Sequence, residues 1–136
     1  MLVYAHRKDA DRHDEYRGWL EAVVASDQQF GISELVLSGF LRIVTHPKVF
    51  KNPTPLARAI TYCEAMRSAP NAAVLSPGAR HWEIFARLCA EVGARGNLIP
   101  DAYLAALAIE TGSAWVTTDG DYRRFAGLTV RHPLEG

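Results

Sequence analysis

Three acidic residues lie where the predicted strands end and helices begin, and a fourth follows in the same turn as the last of them. Glu34 follows a short apolar segment, Asp101 opens a helical pattern, and Asp119 follows the β-prone run Trp115-Val116-Thr117-Thr118, with Asp121 two residues later. A cluster of carboxylates suits a hard cation such as Mg²⁺, and without the cation the like charges would repel one another. Mg²⁺ usually completes its shell with water and substrate phosphate oxygens, so these residues indicate phosphodiester hydrolysis.

Each of these acids also has a structural explanation. Asp101 follows Pro100, where an aspartate caps the free N–H groups of a helix and suits the positive end of its dipole. Asp119 and Asp121 flank a glycine, which is ordinary turn chemistry, and Glu34 at a first helical position is favoured by the dipole. Taken one residue at a time, the sequence leaves the catalytic and the structural interpretation open.

The elements that must position these acids alternate between strands and helices. Strand, helix and strand in this order predict an α/β fold with a parallel sheet and helices on both faces. Ligands of such sheets bind beyond the carboxyl ends of the strands, so Glu34, Asp101 and Asp119 are expected to converge at one edge. The predicted strands are Met1–Tyr4, 30–32, 72–75, 114–118 and 128–131. The predicted helices are 13–25, 33–44, a helix that ends at 67, a helix that ends at 92, and 101–110. Ser33 is the expected N-cap of the second helix, and Thr54-Pro55 and Ser76-Pro77 are expected to cap the third and the fourth.

Composition sets the class of molecule. The chain has 136 residues, enough for one sizeable core, so a single domain over 1–136 is expected. Its 15 basic and 15 acidic residues cancel, so contact with nucleic acid requires a local basic patch. Cys63 and Cys89 are read as buried free thiols of a reducing compartment, and with no membrane-spanning run and no signal sequence the protein is expected in the cytoplasm. The candidates for holding RNA phosphates are Arg7, Lys8, Arg42, Lys48, Arg123 and Arg124.

Two linked segments carry a family resemblance. NLIPDAYLAALAIE at 97–110, followed by TTDGDY at 117–122, resembles the C-terminal half of the VapC toxins, which are PIN-domain ribonucleases. Leu2–His6 looks like the end of that family's first strand, and Phe40–Pro47 is similar to a helix end and loop of one subgroup. The resemblance therefore covers nearly the full length.

The resemblance implies a three-layer α/β/α PIN domain with a central parallel sheet. It also implies RNA cleavage that depends on Mg²⁺, with Mn²⁺ as a substitute, a VapB-like antitoxin that inhibits it, and a homodimer. By resemblance, Asp101 and Asp119 are metal-site carboxylates. We expect the antitoxin to cover apolar surface with an amphipathic segment and to insert a basic side chain among the acids.

Two departures from the family pattern bear on activity. The family's first strand carries an aspartate four residues before the position of Leu2, in an Asp-x-Asn pattern, and this sequence begins after it, so the strand looks truncated. The family's helix glutamate aligns with Gly39, and Glu34 lies roughly 140° away around the helix. Glu34 is assigned to the catalytic and metal site from the first helical turn, and Asp121 is a further metal contact or a turn residue.

Two other functions stay open. A non-catalytic PIN-like protein that binds the antitoxin fits the missing aspartate. A different magnesium-dependent phosphohydrolase fits the carboxylates without the RNA.

Overall fold

Short strands separate pairs of helices along residues 1–135, the part of the chain that the computed structural model describes. This order confirms the predicted α/β class. The contacts divide the chain into two compact units, Met1–Val74 and a second unit from Leu75 onward. The elements are α1 (Leu2–His6), α2 (His13–Ala25), β1 (Phe30–Ser33), α3 (Glu34–Val44), α4 (Leu56–Arg67), β2 (Ala72–Leu75), α5 (His81–Val92), α6 (Leu98–Glu110), β3 (Trp115–Val116), a 3₁₀ helix (Gly120–Arg124) and β4 (Val130–Arg131).

The core of the first unit lies between α3 and α4. Phe40 and Val44 on α3 are buried against Ala59 and Cys63 on α4. The predicted N-cap of α3 is confirmed, because the Ser33 side-chain oxygen accepts a hydrogen bond from the N–H of Leu35 at 3.2 Å. The cap fixes where β1 ends and α3 begins. Strand β1 pairs with β2 in a two-stranded sheet.

The predicted strand at Met1–Tyr4 is wrong, because Leu2–His6 forms the helix α1. Leu2 and Ala5, three residues apart, are both buried, so the apolar face follows a helical period. The N–H of Ala5 donates to the carbonyl of Met1 at 3.1 Å. A short apolar run fits a strand and a helix equally well, and burial of one face decides between them.

The cap predicted at Thr54 is also wrong. Helix α4 has Pro55 at its N-cap and no side-chain cap. The Thr54 side chain is buried, and its Oγ1 lies 3.1 Å from His6 Nε2 and 3.3 Å from Arg7 Nη1. Its hydroxyl therefore serves the contact with α1 instead of the helix start.

The second predicted proline-linked cap, at Ser76-Pro77, fails for a similar reason. Helix α5 starts at His81, and a carboxylate from the end of α6 supplies its N-terminal acceptor. Glu110 Oε1 accepts the N–H of Gly78 at 2.7 Å and Oε2 accepts that of Arg80 at 2.9 Å. The Gly78 N–H, more than that of Arg80, lowers the pKa of Glu110. A cap can thus come from a residue distant in sequence.

The second unit is built on the packing of α5 against α6. Ala102, Ala105 and Ala106 of α6 are fully buried beside Ile84 and Leu88 of α5, because their short side chains let the two helices approach closely. Strands β3 and β4 pair in parallel, with Trp115 opposite Val130, which agrees with the predicted parallel sheet.

The structure bears on two expectations from composition, the state of the cysteines and the length of the helices. Both cysteines are free, as expected, and burial raises the pKa of the Cys63 thiol, but Cys89 is only half-buried, so its predicted burial is wrong. Among residues 1–135, no helix has the length and hydropathy needed to cross a membrane.

Candidate active site

Asp101 lies in the first turn of α6. The helix starts at Leu98, three residues before the predicted start, so its N-cap is Asn97 and Asp101 is not the capping residue. The Asp101 carboxylate is half-buried, and its Oδ1 accepts a hydrogen bond from the Tyr122 hydroxyl at 3.0 Å. Within the described chain no hydrogen bond or ion pair engages Oδ2, which is therefore available to a ligand.

Asp119 caps the 3₁₀ helix that follows β3. Its Oδ1 accepts the N–H of Asp121 at 2.9 Å, and its own N–H donates to Thr117 Oγ1 at 3.1 Å. The predicted turn role of Asp119 is thus confirmed, and it uses the carboxylate oxygen Oδ1. The other carboxylate oxygen of Asp119 has no protein partner in the residues described.

Asp121 has a highly exposed carboxylate. Its side chain is 75% exposed, and Oδ1 lies 3.8 Å from Arg124 Nη2. A pair this long and exposed contributes little to stability. In the described residues the Asp121 side chain therefore has only this long ion pair with Arg124.

Tyr122 is the residue that sequence reasoning missed. Its ring is buried, its hydroxyl contacts Asp101, and its N–H lies 3.4 Å from the carbonyl oxygen of Asp119. Burial raises the pKa of Tyr122 strongly, and the charge and hydrogen bond of Asp101 and the charge of Asp119 raise it further. The phenol therefore stays protonated and acts as a donor. An aromatic residue three positions after Asp119 was the available signal, but such residues usually only pack.

Glu34 lies in the other compact unit, at the first position of α3. Its Oε2 is 3.1 Å from Nη2 of Arg67, and that arginine also lies 3.5 Å from Glu64. The Glu34 side chain is 64% exposed. At Gly39, the position that aligns with the family's glutamate, an added Cβ would meet nothing within 4 Å. The role assigned to Glu34 stays a prediction.

Arg7, one of the candidate phosphate contacts, has partners within its own unit. Its guanidinium pairs with Asp9 at 2.6 Å, donates to the carbonyl of Asn52 at 2.7 Å and lies 4.0 Å from the ring centre of Phe50. These contacts give Arg7 a structural role in the first unit.

The donor set of Asp101 and Asp119 fits a magnesium ion of limited protein coordination. Across residues 1–135 there is no group of three or more His, Cys, Asp or Glu side chains arranged to hold a metal. Mg²⁺ is commonly held by one or two carboxylates, with waters and phosphate oxygens as its other ligands. Two carboxylates, each with one unpaired oxygen, match that requirement.

Comparison with known proteins decides the family. The sequence profile of the PIN domain matches residues 1–128. The chain belongs to the PIN domain family. Within that family it is 45% identical over 136 residues to ribonuclease VapC43 of Mycobacterium tuberculosis, covering all of this chain and 92% of the relative. It is 41% identical over 132 residues to ribonuclease VapC25 of the same species, covering 97% of this chain and 92% of that protein.

A solved structure shares the PIN fold. The crystal structure of VapBC2 from Rickettsia felis, bound to a DNA fragment from the promoter, matches with a TM-score of 0.69. The match covers 96% of this chain and 91% of the other at 21% identity, so it bears on the fold alone. The expected PIN fold and VapC-type family are thereby confirmed, while the assignments of Asp101, Asp119, Asp121 and Glu34 to a metal site stay predictions.

Proposed function

We propose that this chain is a magnesium-dependent endoribonuclease, the toxin of a VapB–VapC pair, with Asp101 and Asp119 at its active site. The observation that carries the proposal is that both acids lie beside the buried Tyr122, Asp101 through its carboxylate and Asp119 through its backbone carbonyl, and that in the described residues each acid keeps one carboxylate oxygen unpaired. The identity of 45% to a VapC ribonuclease over the whole chain supports the RNA substrate. We further propose that residues 1–136 form one PIN domain, because the family match spans 1–128.

Asp101 and Asp119 would hold the cation, with Mn²⁺ able to replace Mg²⁺. When bound, the cation supplies a Lewis acid that activates water and neutralises charge on the leaving oxygen. Asp101 stands in the first turn of α6, where the free N–H groups favour a nearby phosphate. Glu34 and Asp121 are the further carboxylates of the proposed site.

The RNA backbone requires cations from the protein as well. Arg123 and Arg124 lie in the last turn of the 3₁₀ helix that Asp119 caps. Guanidinium groups bind phosphate oxygens through paired N–H donors. We assign these two arginines to the phosphates that flank the cleaved bond. We also propose that the protein is a homodimer and that its partner is a VapB-like antitoxin, which covers the same site.

The test compares Asp101→Asn and Asp119→Asn with the parent in a fluorogenic RNA cleavage assay over a range of Mg²⁺ concentrations. Each variant keeps the size of the side chain and removes its charge. We expect a loss of at least about 100-fold in kcat/KM, because the cation contributes several kcal/mol to the transition state. Asp27→Asn, at an exposed position of the first unit, is the matched control and should cleave normally. Cleavage by Asp101→Asn at the parent rate would refute the assignment.

A non-catalytic, antitoxin-binding PIN protein is the second candidate. The observation that favours it is that the described residues contain no group of three metal-binding side chains. RNA cleavage, Mn²⁺ binding and antitoxin binding, each measured on the parent, separate the two functions. A chain that binds antitoxin but neither binds Mn²⁺ nor cleaves RNA would be this second kind of protein.

A further inference from the structure

Tyr122 connects the two acidic segments of the second unit. Its N–H lies 3.4 Å from the carbonyl oxygen of Asp119, and its hydroxyl donates to Asp101 Oδ1 at 3.0 Å. Asp119 precedes the 3₁₀ helix, whereas Asp101 belongs to α6, so the two acids are 18 positions apart in the sequence. One residue therefore contacts the side chain of Asp101 and the backbone of Asp119.

The ring of Tyr122 is held rigidly by its neighbours. It is 6% exposed, with its centroid 5.2 Å from the Trp115 ring and 6.0 Å from the Phe125 ring. Ala102 and Ala105 of α6 belong to the same buried cluster. Because packing fixes the ring, the position of the hydroxyl is fixed in the folded protein before a ligand arrives.

The hydroxyl restricts the carboxylate of Asp101. A hydrogen bond to Oδ1 limits rotation about the bond that joins Cβ to the carboxyl carbon, so Oδ2 keeps one direction. Partners of this kind orient metal-binding carboxylates and influence metal affinity. A phenylalanine at this position would pack equally well but would leave the carboxylate free to turn.

We propose that Tyr122 is a positioning residue, whose hydroxyl orients the Asp101 carboxylate for a divalent cation shared with Asp119. This role rests on the proposed function, since it needs the cation to bind at Asp101. It assigns to the hydroxyl a task that is separate from the packing of the ring.

The test uses Tyr122→Phe in the full-length protein, with Mn²⁺ binding followed by electron paramagnetic resonance in the absence of RNA. We expect Mn²⁺ affinity to fall about 10- to 100-fold. The Mg²⁺ concentration for half-maximal RNA cleavage should rise by a similar factor, while the KM for RNA at saturating Mg²⁺ stays unchanged. Tyr103→Phe is the matched control, because Tyr103 lies on α6 with Asp101 and its ring packs against His81 and Phe85. It should bind Mn²⁺ as the parent does.

A third variant separates positioning from stability. Val44→Ala removes buried atoms from the core of the first unit and leaves the packing of Tyr122 untouched, so it should lower the melting temperature with less than a threefold change in Mn²⁺ affinity. Equal Mn²⁺ affinity in Tyr122→Phe and Tyr103→Phe, with a parent that binds Mn²⁺ and cleaves RNA, would overturn the positioning role alone. A parent that neither binds Mn²⁺ nor cleaves RNA would refute the proposed function, and this role with it.

Discussion

Leu88 on α5 offers a direct test of how the second unit holds α6 in place. Its side chain is completely buried, in a cluster with Ala102, Ala105 and Phe125. Leu88→Ala removes three carbons, which at about 0.8 kcal/mol each gives a transfer loss of about 2.4 kcal/mol. The cavity left between the helices adds to this loss, so we expect the free energy of unfolding to fall by about 3 to 5 kcal/mol.

Equilibrium unfolding in urea, followed by far-ultraviolet circular dichroism, measures the effect. For a slope of about 1 to 3 kcal/mol per molar urea, the midpoint should fall by at least about 1 M. Leu35→Ala is the matched control, because Leu35 is also helical but 46% exposed, and its midpoint should change little. Equal shifts for the two variants, or a loss below about 1 kcal/mol for Leu88→Ala, would show that the packing of α5 on α6 is not as tight as described.

Three further predictions concern single side chains. Glu110→Gln should destabilise the protein most above pH 4.5, the ordinary pKa of a glutamate, because the lowered pKa of Glu110 gives a stabilisation that disappears as pH falls through the folded-state pKa. The melting temperatures of the variant and the parent, measured between pH 3 and 7, should therefore converge in acid. A difference in melting temperature that stays constant with pH would contradict this. Gly39→Ala should stabilise the protein by about 0.5 to 1 kcal/mol, since this helical glycine has no atom within 4 Å of an added Cβ; urea unfolding measures it, and a destabilised variant would disprove it. Thr54→Val should cost about 1 to 3 kcal/mol because His6 and Arg7 lose a buried oxygen; an unchanged urea midpoint would show that these contacts carry no stability.

The parts of the fold that the sequence predicted well are those with a local cause. The helix 13–25 and the strand 72–75 have the predicted bounds, and Ser33 is the cap it was expected to be. Each depends on periodicity or on a hydrogen bond to the next turn. Such signals lie within a few residues of the element that they define.

The errors come from partners that are distant in sequence. The expected cap Thr54 turns to His6, 48 positions away, and the start of α5 is served by Glu110, 30 or more positions away. A residue type with cap propensity indicates a local option, but the folded chain offers the same oxygen other donors. The motif around Asp101 and Asp119 likewise made these acids the candidates for the site but gave no indication that Tyr122 contacts both of them.

The acids of the proposed site differ in how firmly the protein holds their carboxylates. Asp101 accepts a hydrogen bond from a buried phenol, so its orientation is set by the core of the second unit. Glu34 instead pairs with the partly exposed Arg67 through a side chain that is itself 64% exposed, and solvent-exposed ion pairs are worth only about 0 to 1 kcal/mol. The phenol therefore holds the Asp101 carboxylate in one orientation more firmly than Arg67 holds that of Glu34. We therefore expect Asp101→Asn to lower Mn²⁺ affinity more than Glu34→Gln does, and an equal loss in the two variants would contradict this reasoning.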